Sequence, residues 1–290
     1  MTLTSPATVV LPTIGRPELV RDCLGSLASC EPRAEEILVV DSSKDDAVAT
    51  VVRDFADAGA RVVRCDEPGL GTAFNIGLRE ARHELVLLTN DDCTVERSWV
   101  GVGARLVGDA SHVIITGRVR PHGDPEVVPS IIDDPARREH RDTVGFFLYT
   151  QSMAVHRDEV LELGGFDGRI RPSAEDNDLS YRWLRAGRTI HYEPAFVVWH
   201  RDWRTREQLE RLFVGYGVGQ GMLYAKHLRR GDTGVVRFVA RDVYAICRGL
   251  ADRVLRGRRP YGDWRLGLAR GLPVGFVRGW QAFSRSAETL

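Results

Sequence analysis

Short, nearly uninterrupted apolar runs recur along the first 200 residues, and each breaks off abruptly at polar or turn-forming residues. Runs apolar at every position suit strands buried on both faces of a sheet. The first, Ala7-Thr-Val-Val-Leu-Pro12, ends at Thr13, and Pro17 then opens a helix through Leu27, because a first-turn proline forfeits no hydrogen bond. Glu36 to Asp41 predicts a second strand, followed by Ser42, Ser43 and a helix from Asp45 to about Ala58. Arg61 to Cys65 is a third strand and Thr72 to Arg82 a helix. Leu85 to Thr89 is a fourth strand that gives way within one residue to Asn90-Asp91-Asp92. A helix from about Glu96 to Val107 and a strand from His112 to Gly117 follow. Strands alternating with helices predict a parallel, twisted α/β sheet whose ligands bind beyond the carboxyl ends of the strands.

Beyond residue 117 the pattern loosens. Arg118 to Asp142 holds Pro121, Pro125, Pro129 and Pro135 without either period, which predicts a long loop or mobile lid. Residues 144 to 155 regain strand character and lead into a short helix before Gly164-Gly165. Ser173 to Gly187 predicts a helix capped by Ser173, with an acid three residues on. Ala195 to Trp199 is a last strand, ending at His200. From Thr205 onward the chain reads helical. Gly215, Gly217, Gly219 and Gly221 weaken a free helix but permit close backbone packing against a neighbour or a ligand. Val236, Val239, Val243, Ile246, Leu250 and Val254 recur at helical spacing, with Arg237, Arg241, Arg248 and Arg253 between them. Packing on its own domain or in a homodimer is the default for such a helix; resting on an anionic membrane is the alternative.

A chain of 290 residues, 43% hydrophobic, can bury a sizeable core as one large domain with an appendage. The pattern divides it into an α/β domain over residues 1–203 and a helical extension over 204–290. Net charge is zero, yet residues 1–200 carry 22 Lys plus Arg against 32 Asp plus Glu, and residues 201–290 carry 18 against 8. The extension is therefore basic. It holds no recognised nucleic-acid motif, so no nucleic-acid partner is expected. Five cysteines without CxxC spacing indicate neither a disulfide framework nor a zinc site and suit a reducing cytoplasm. No secretory signal and no spanning apolar stretch is visible, which predicts a soluble or surface-bound chain.

The polar strand ends are chemically alike: Thr13 and Arg16, Asp41, and Asn90 to Asp92 would line one crevice. If residues 90 to 92 stay extended, Asn90 and Asp92 point the same way, an oxygen pair that suits a hard divalent cation. A solvated Asn-Asp turn is the plainer reading. No GxGxxG follows the first strand, which opposes an ordinary dinucleotide-binding domain. The glycines of Glu67-Pro-Gly-Leu-Gly71 precede a helix end that could receive an anion, or simply serve a loop needing positive φ. Glu175 and Asp176 fit a helix dipole as well as chemistry.

Taken together, VVLPTIGRP, VVDSS, GLGTAFNIGLREA, LLTNDDC with Trp99, QSMAV with ELGGFD, AEDNDLSYRWLRAG and His200 resemble the family 2 glycosyltransferases of the GT-A fold, over about residues 7 to 230. The resemblance implies that Pro12, Thr13, Arg16 and Asp41 hold the base and ribose of a nucleotide-sugar donor, with Asn75 a polar donor-side position. It implies Asp92 as principal ligand of Mn2+ or Mg2+, Asp91 near the donor ribose or sugar, and His200 as a further metal ligand. Asn90 departs from the aspartate common at that place. Asp176 matches the catalytic base of an inverting transfer and Glu175 an acceptor contact, while Ser152 replaces an asparagine common in the acceptor strand. UDP is the leading donor nucleotide, and the acceptor is a glycan, a lipid-linked glycan or a small natural product. Two other readings remain: a nucleotidyltransferase, which lacks its basic Gly-rich loop here, and a non-catalytic sugar-nucleotide scaffold. The joint presence of Asp92, Asp176 and His200 opposes the latter.

Overall fold

The computed structural model describes residues 3–67, 69–141, 148–256 and 264–283. Strands β1 (Thr4–Thr13), β2 (Arg33–Asp41), β3 (Ala60–Arg64) and β4 (Leu85–Leu88) lie parallel in the order β3-β2-β1-β4. Helices α1 (Pro17–Ala28), α2 (Ala47–Arg53) and α3 (Leu70–Glu80) make the crossovers. Pro17 opens α1 as its position predicts. Gly69 enters α3 at φ +133°, a conformation that glycine adopts without a Cβ clash, so the glycine loop has a backbone reason.

The sheet continues with reversed direction. β8 (Met153–His156) runs antiparallel to β4 and to β6 (Val113–His122), and β6 runs parallel to the long β9 (Thr189–Arg201). β5 (Cys93–Val95) and β7 (Arg138–His140) pair antiparallel with opposite ends of β9. The sheet is thus mixed rather than parallel throughout, because apolar patterning reports burial on both faces and says nothing of strand direction. Helices α1, α2 and α4 (Trp99–Val107) cover one face through Leu24, Val48 and Val100; α3, α5 (Arg157–Glu162) and α6 (Glu175–Arg185) cover the other through Phe74, Val160 and Trp183.

The proline-rich stretch is more ordered than its composition predicts. β6 reaches His122, Val119 bridges Ile132, and β7 lies within the stretch, since pairing to a neighbour supplies order that propensity lacks. Of the strand expected over 144 to 155, residues 144–147 lie outside the described residues, Thr150–Ser152 form a 3-10 turn, and only Met153 onward is strand. Ser173 does not cap α6. Its hydroxyl donates to the Gly215 carbonyl at 3.1 Å, and the cap position falls to Ala174 at φ +72°.

Three long helices follow: α7 (Arg206–Arg229), α8 (Val236–Arg256) and α9 (Trp264–Ala282). The glycines of α7 face two neighbours. A Cβ on Gly217 or Gly221 would strike the backbone of α9, and one on Gly219 would lie 1.9 Å from the Ser173 carbonyl oxygen, so α7 packs backbone to backbone on α9 and on the entry to α6. Lys226, buried in α7, meets Asp178 of α6 and Asp167 at 2.8 Å each. The apolar stripe of α8 is only partly covered by its own domain: Val239 packs beside the buried Phe238, while Val236, Val243 and Leu250 are 49%, 50% and 43% exposed. Burial follows the geometry of the supporting helices rather than the hydrophobic stripe. Among the described residues no helix is long and apolar enough to cross a membrane.

Candidate active site

The chain leaves β4 at Leu88 and turns at Asp91 and Asp92 before entering β5. The Cys93 amide donates to the Asn90 carbonyl at 3.1 Å and closes that turn. Residues 90 to 92 are therefore not extended, and the geometry imagined for Asn90 and Asp92 on one strand face does not arise. A different device brings a partner to Asp92. β5 pairs with β9 so that Cys93 lies opposite His200, and the Arg201 amide donates to the Asp92 carbonyl at 2.9 Å. His200 Nε2 then stands 3.3 Å from Asp92 Oδ2.

The residues expected on the donor side gather at the carboxyl ends of β1 and β2, where Pro12 and Thr13 end one strand and Asp41 pairs in register with Thr13. The Thr13 hydroxyl donates to Asp91 Oδ2 at 2.6 Å, and Arg16, at the amino end of α1, meets Asp91 Oδ1 at 2.8 Å. Burial pushes the Asp91 carboxyl up and the neighbouring Asp92 adds to this, while Arg16 opposes both. Asp41 is held by the Ser43 amide at 2.8 Å and by Arg64 at 2.7 Å.

Asp92 is buried, which by itself would favour the neutral acid, yet His200, Arg204 and Trp203 hold its carboxyl well below the usual range. Trp203 Nε1 and Arg204 Nη2 both donate to Oδ2 at 2.9 Å, and Arg204 Nη1 lies 3.4 Å from His200 Nε2. Two guanidinium groups lie over the Trp203 indole, Arg16 at 5.0 Å and Arg204 at 4.3 Å from its centroid. Neither Trp203 nor Arg204 stands out in the sequence; the signal was a tryptophan and an arginine within four residues of His200.

The donor set suits a hard divalent cation. Asp92, Cys93 and His200 each offer one ligand atom within 4.8 Å of the others. Burial drives the Cys93 thiol well above its usual pKa, so the hard candidates are the Asp92 carboxylate and the His200 imidazole. Asn90 Oδ1 and His200 Nδ1 are buried without hydrogen-bond partners, which leaves polar capacity at this spot for a ligand to use.

Glu175 and Asp176 form the first turn of α6. Burial raises the Asp176 carboxyl above the ordinary range even though the Asn177 amide donates to Oδ1 at 2.7 Å. Burial, then the charge of Asp176, raises Glu175. The half-buried Tyr216 phenol of α7 is pushed up to about 12, first by desolvation and further by Asp176 and Asp92, against Ser130 and Arg204. Tyr216 was not singled out from sequence, because only the packing of α7 on α6 brings it there.

Two expected residues have other work. Asn75 Nδ2 donates to the Phe166 carbonyl at 2.7 Å and its Oδ1 accepts the Phe166 amide at 2.8 Å, which ties α3 to the segment before α6. Ser152 is fully buried, accepting from Trp99 Nε1 at 2.9 Å and donating to the Phe196 carbonyl at 3.0 Å. Ser152 thereby has both its donor and an acceptor position engaged away from solvent, whereas Asn75 is only partly buried.

The sequence profile described as Glycosyl transferase family 2 matches residues 8–163. A pre-mycofactocin glycosyltransferase of Mycobacterium tuberculosis is 26% identical over 238 residues, covering 76% of this chain and 48% of that protein, so the chain spans about half the length of that relative. Glycosyltransferase AglE of Haloferax volcanii is 23% identical over 246 residues, covering 79% of this chain and 77% of that one. Among solved structures, the mannosyltransferase PcManGT from Pyrobaculum calidifontis, in complex with GDP-Man and Mn2+, superposes with TM-score 0.67 at 18% identity over 97% of this chain and 88% of that one. TarS of S. aureus in complex with UDP gives 0.58 at 16% identity, over 78% and 71%. These likenesses share the α/β architecture found here, and with the profile matching more than half of its length, the chain belongs to glycosyl transferase family 2.

Proposed function

We propose that this chain is an inverting glycosyltransferase that moves a sugar from a nucleoside diphosphate donor, UDP-linked first among the candidates, to a hydroxyl acceptor. The observation that carries the reading is the approach of His200 to Asp92 beside the Asp91–Arg16 pair, with Glu175 and Asp176 opening α6. Pro12, Thr13, Arg16 and Asp41 bind the nucleoside end, and Asn90 and Asp91 border the donor. Asp92 and His200 would hold Mn2+ or Mg2+, which would supply positive charge against the departing diphosphate.

Asp176 accepts the acceptor's hydroxyl proton as that oxygen forms its bond to the anomeric carbon. The bond from that carbon to the phosphate oxygen breaks, and its electron pair leaves with the nucleoside diphosphate. A raised carboxyl pKa makes Asp176 a better base than an exposed aspartate, and general-base catalysis contributes typically about 100- to 10,000-fold. Glu175, raised further by its neighbour, orients the acceptor by hydrogen bonding.

The acceptor is a glycan, a lipid-linked glycan or a small molecule. The exposed Val236, Val243 and Leu250 of α8, with the exposed Arg248 near them, favour a chain that rests on an anionic bilayer, where a lipid-linked acceptor would reside. Flotation with anionic liposomes at low salt checks this; no flotation, together with dimer formation, assigns the stripe to a second copy. For the transfer itself, sugar nucleotides are screened by thermal shift and the stabilising donors then assayed with hydroxyl acceptors. Asp176→Asn should keep donor binding and lose transfer; full transfer in that variant rejects the base.

A further inference from the structure

The atoms expected to hold a divalent cation already have a cation between them. Arg204 reaches Asp92 Oδ2 with Nη2 at 2.9 Å and His200 Nε2 with Nη1 at 3.4 Å, so one guanidinium bridges both. Trp203 donates to the same oxygen and stacks on Arg204, while Arg16 also lies over its ring and binds Asp91. We propose that Arg204 is a built-in counter-cation of the donor site, an alternative occupant of Asp92 and His200 that a divalent cation must displace. The inference rests on the reading of Asp92 and His200 as metal ligands and adds a competitor to it.

The backbone on either side says how the exchange occurs. Asp202 accepts the Asp124 amide at 2.8 Å, and Thr205 fixes the start of α7 through a reciprocal pair of hydrogen bonds with Gln208. Only Trp203 and Arg204 lie between these anchors. Exchange is therefore a swing of the Arg204 side chain, which is 15% exposed and has a path to solvent. Two positive groups cannot share one lone-pair region at contact distance, so occupancy by one excludes the other. The carboxylate meanwhile never stands buried without a counter-charge, a costly condition. Displacement also frees a guanidinium beside the place where the donor diphosphate would lie, and guanidinium pairs readily with phosphate oxygens.

The test is a Mn2+ titration of the full chain, read by the electron paramagnetic resonance of the free ion, with no turnover required. A competing occupant lowers apparent affinity by the fraction of sites it holds, so Arg204→Gln should bind Mn2+ roughly ten- to hundredfold tighter than the parent. Arg204→Lys, which keeps a charge but loses the two-point reach, should fall between them. In the parent, Mn2+ should change the tryptophan emission, and Trp203→Phe should remove most of that change. Equal or weaker Mn2+ affinity in a folded Arg204→Gln variant overturns the inference, as does absence of Mn2+ binding in both proteins. Should Arg204→Gln fail to fold, the Arg204→Lys titration decides, with unchanged affinity counting against the proposal. Asp92→Asn separates the two ideas: undiminished Mn2+ binding there rejects Asp92 as a ligand, whereas loss of binding there with no gain in Arg204→Gln rejects only the competitor.

Discussion

Lys226 Nζ lies 2.8 Å from both carboxylate oxygens of Asp178, and neither side chain reaches solvent. Arg182 and His227 reach the same carboxylate at 2.8 and 2.9 Å. Asp178 belongs to the helix that begins with Glu175 and Asp176, and Lys226 to the helix that carries Tyr216. The buried cluster therefore fixes the relative position of the proposed base and the helix over it. Removing one partner of a buried pair strands the remaining charges, which costs about 3–5 kcal/mol. Asp178→Ala should lose stability on that scale, measured by urea unfolding. Replacing Asp178 and Lys226 together with apolar residues should restore part of it.

The same cluster sets an acid limit. Burial alone would raise Asp178, but Arg182, Lys226 and His227 hold it well below its usual value, and Asp167 beside Lys226 is held at about 2. A carboxyl with a depressed folded-state pKa contributes stability in full above its unfolded value, near 3.9, and loses it as pH falls toward the folded one. Equilibrium unfolding should therefore show stability declining from about pH 4 down to pH 2 and below. An Asp178→Asn variant should be less stable at neutral pH and decline less steeply across that interval.

Activity should have a different acid limit from stability. Asp176 is raised by burial, so its proton is lost at higher pH than from an exposed aspartate. Transfer should rise with pH along a limb lying above the ordinary aspartate range, while the protein remains folded across it. A limb at the ordinary value, near 3.9, would mean that a different group accepts the proton.

Ser152 separates a packing role from an acceptor role. Its hydroxyl satisfies the buried Trp99 indole, and Ser152→Ala would leave that N–H without a partner at a cost of about 1–3 kcal/mol. Thermal unfolding should move down accordingly. The KM for acceptor should stay unchanged, since the hydroxyl is enclosed between Trp99 and Phe196.

Local pattern made the first half of the molecule legible. Pro17 starting α1, the apolar runs of β1, β2 and β4, and the glycine before α3 each follow from a neighbour-scale rule, and each appears where the rule puts it. The second half was less legible because its order depends on pairing. β5 has three residues and little pattern of its own; it exists because β9 offers an edge. The cap of α6 also escaped, because the Ser173 hydroxyl found a carbonyl on α7, more than forty positions away in the chain.

By itself the sequence determined that polar groups would stand at the ends of buried strands, since an apolar run must stop where water begins. It determined the acidic pair at the start of α6 and the aspartates after β4, because these are local in the chain. Which charges face one another was decided only in three dimensions. His200 reaches Asp92 through the register of β5 on β9, and Arg204 reaches both through the bend after β9. Electrostatic partnership depends on distance in space, and residues more than a hundred positions apart acquire that distance only when the sheet has formed.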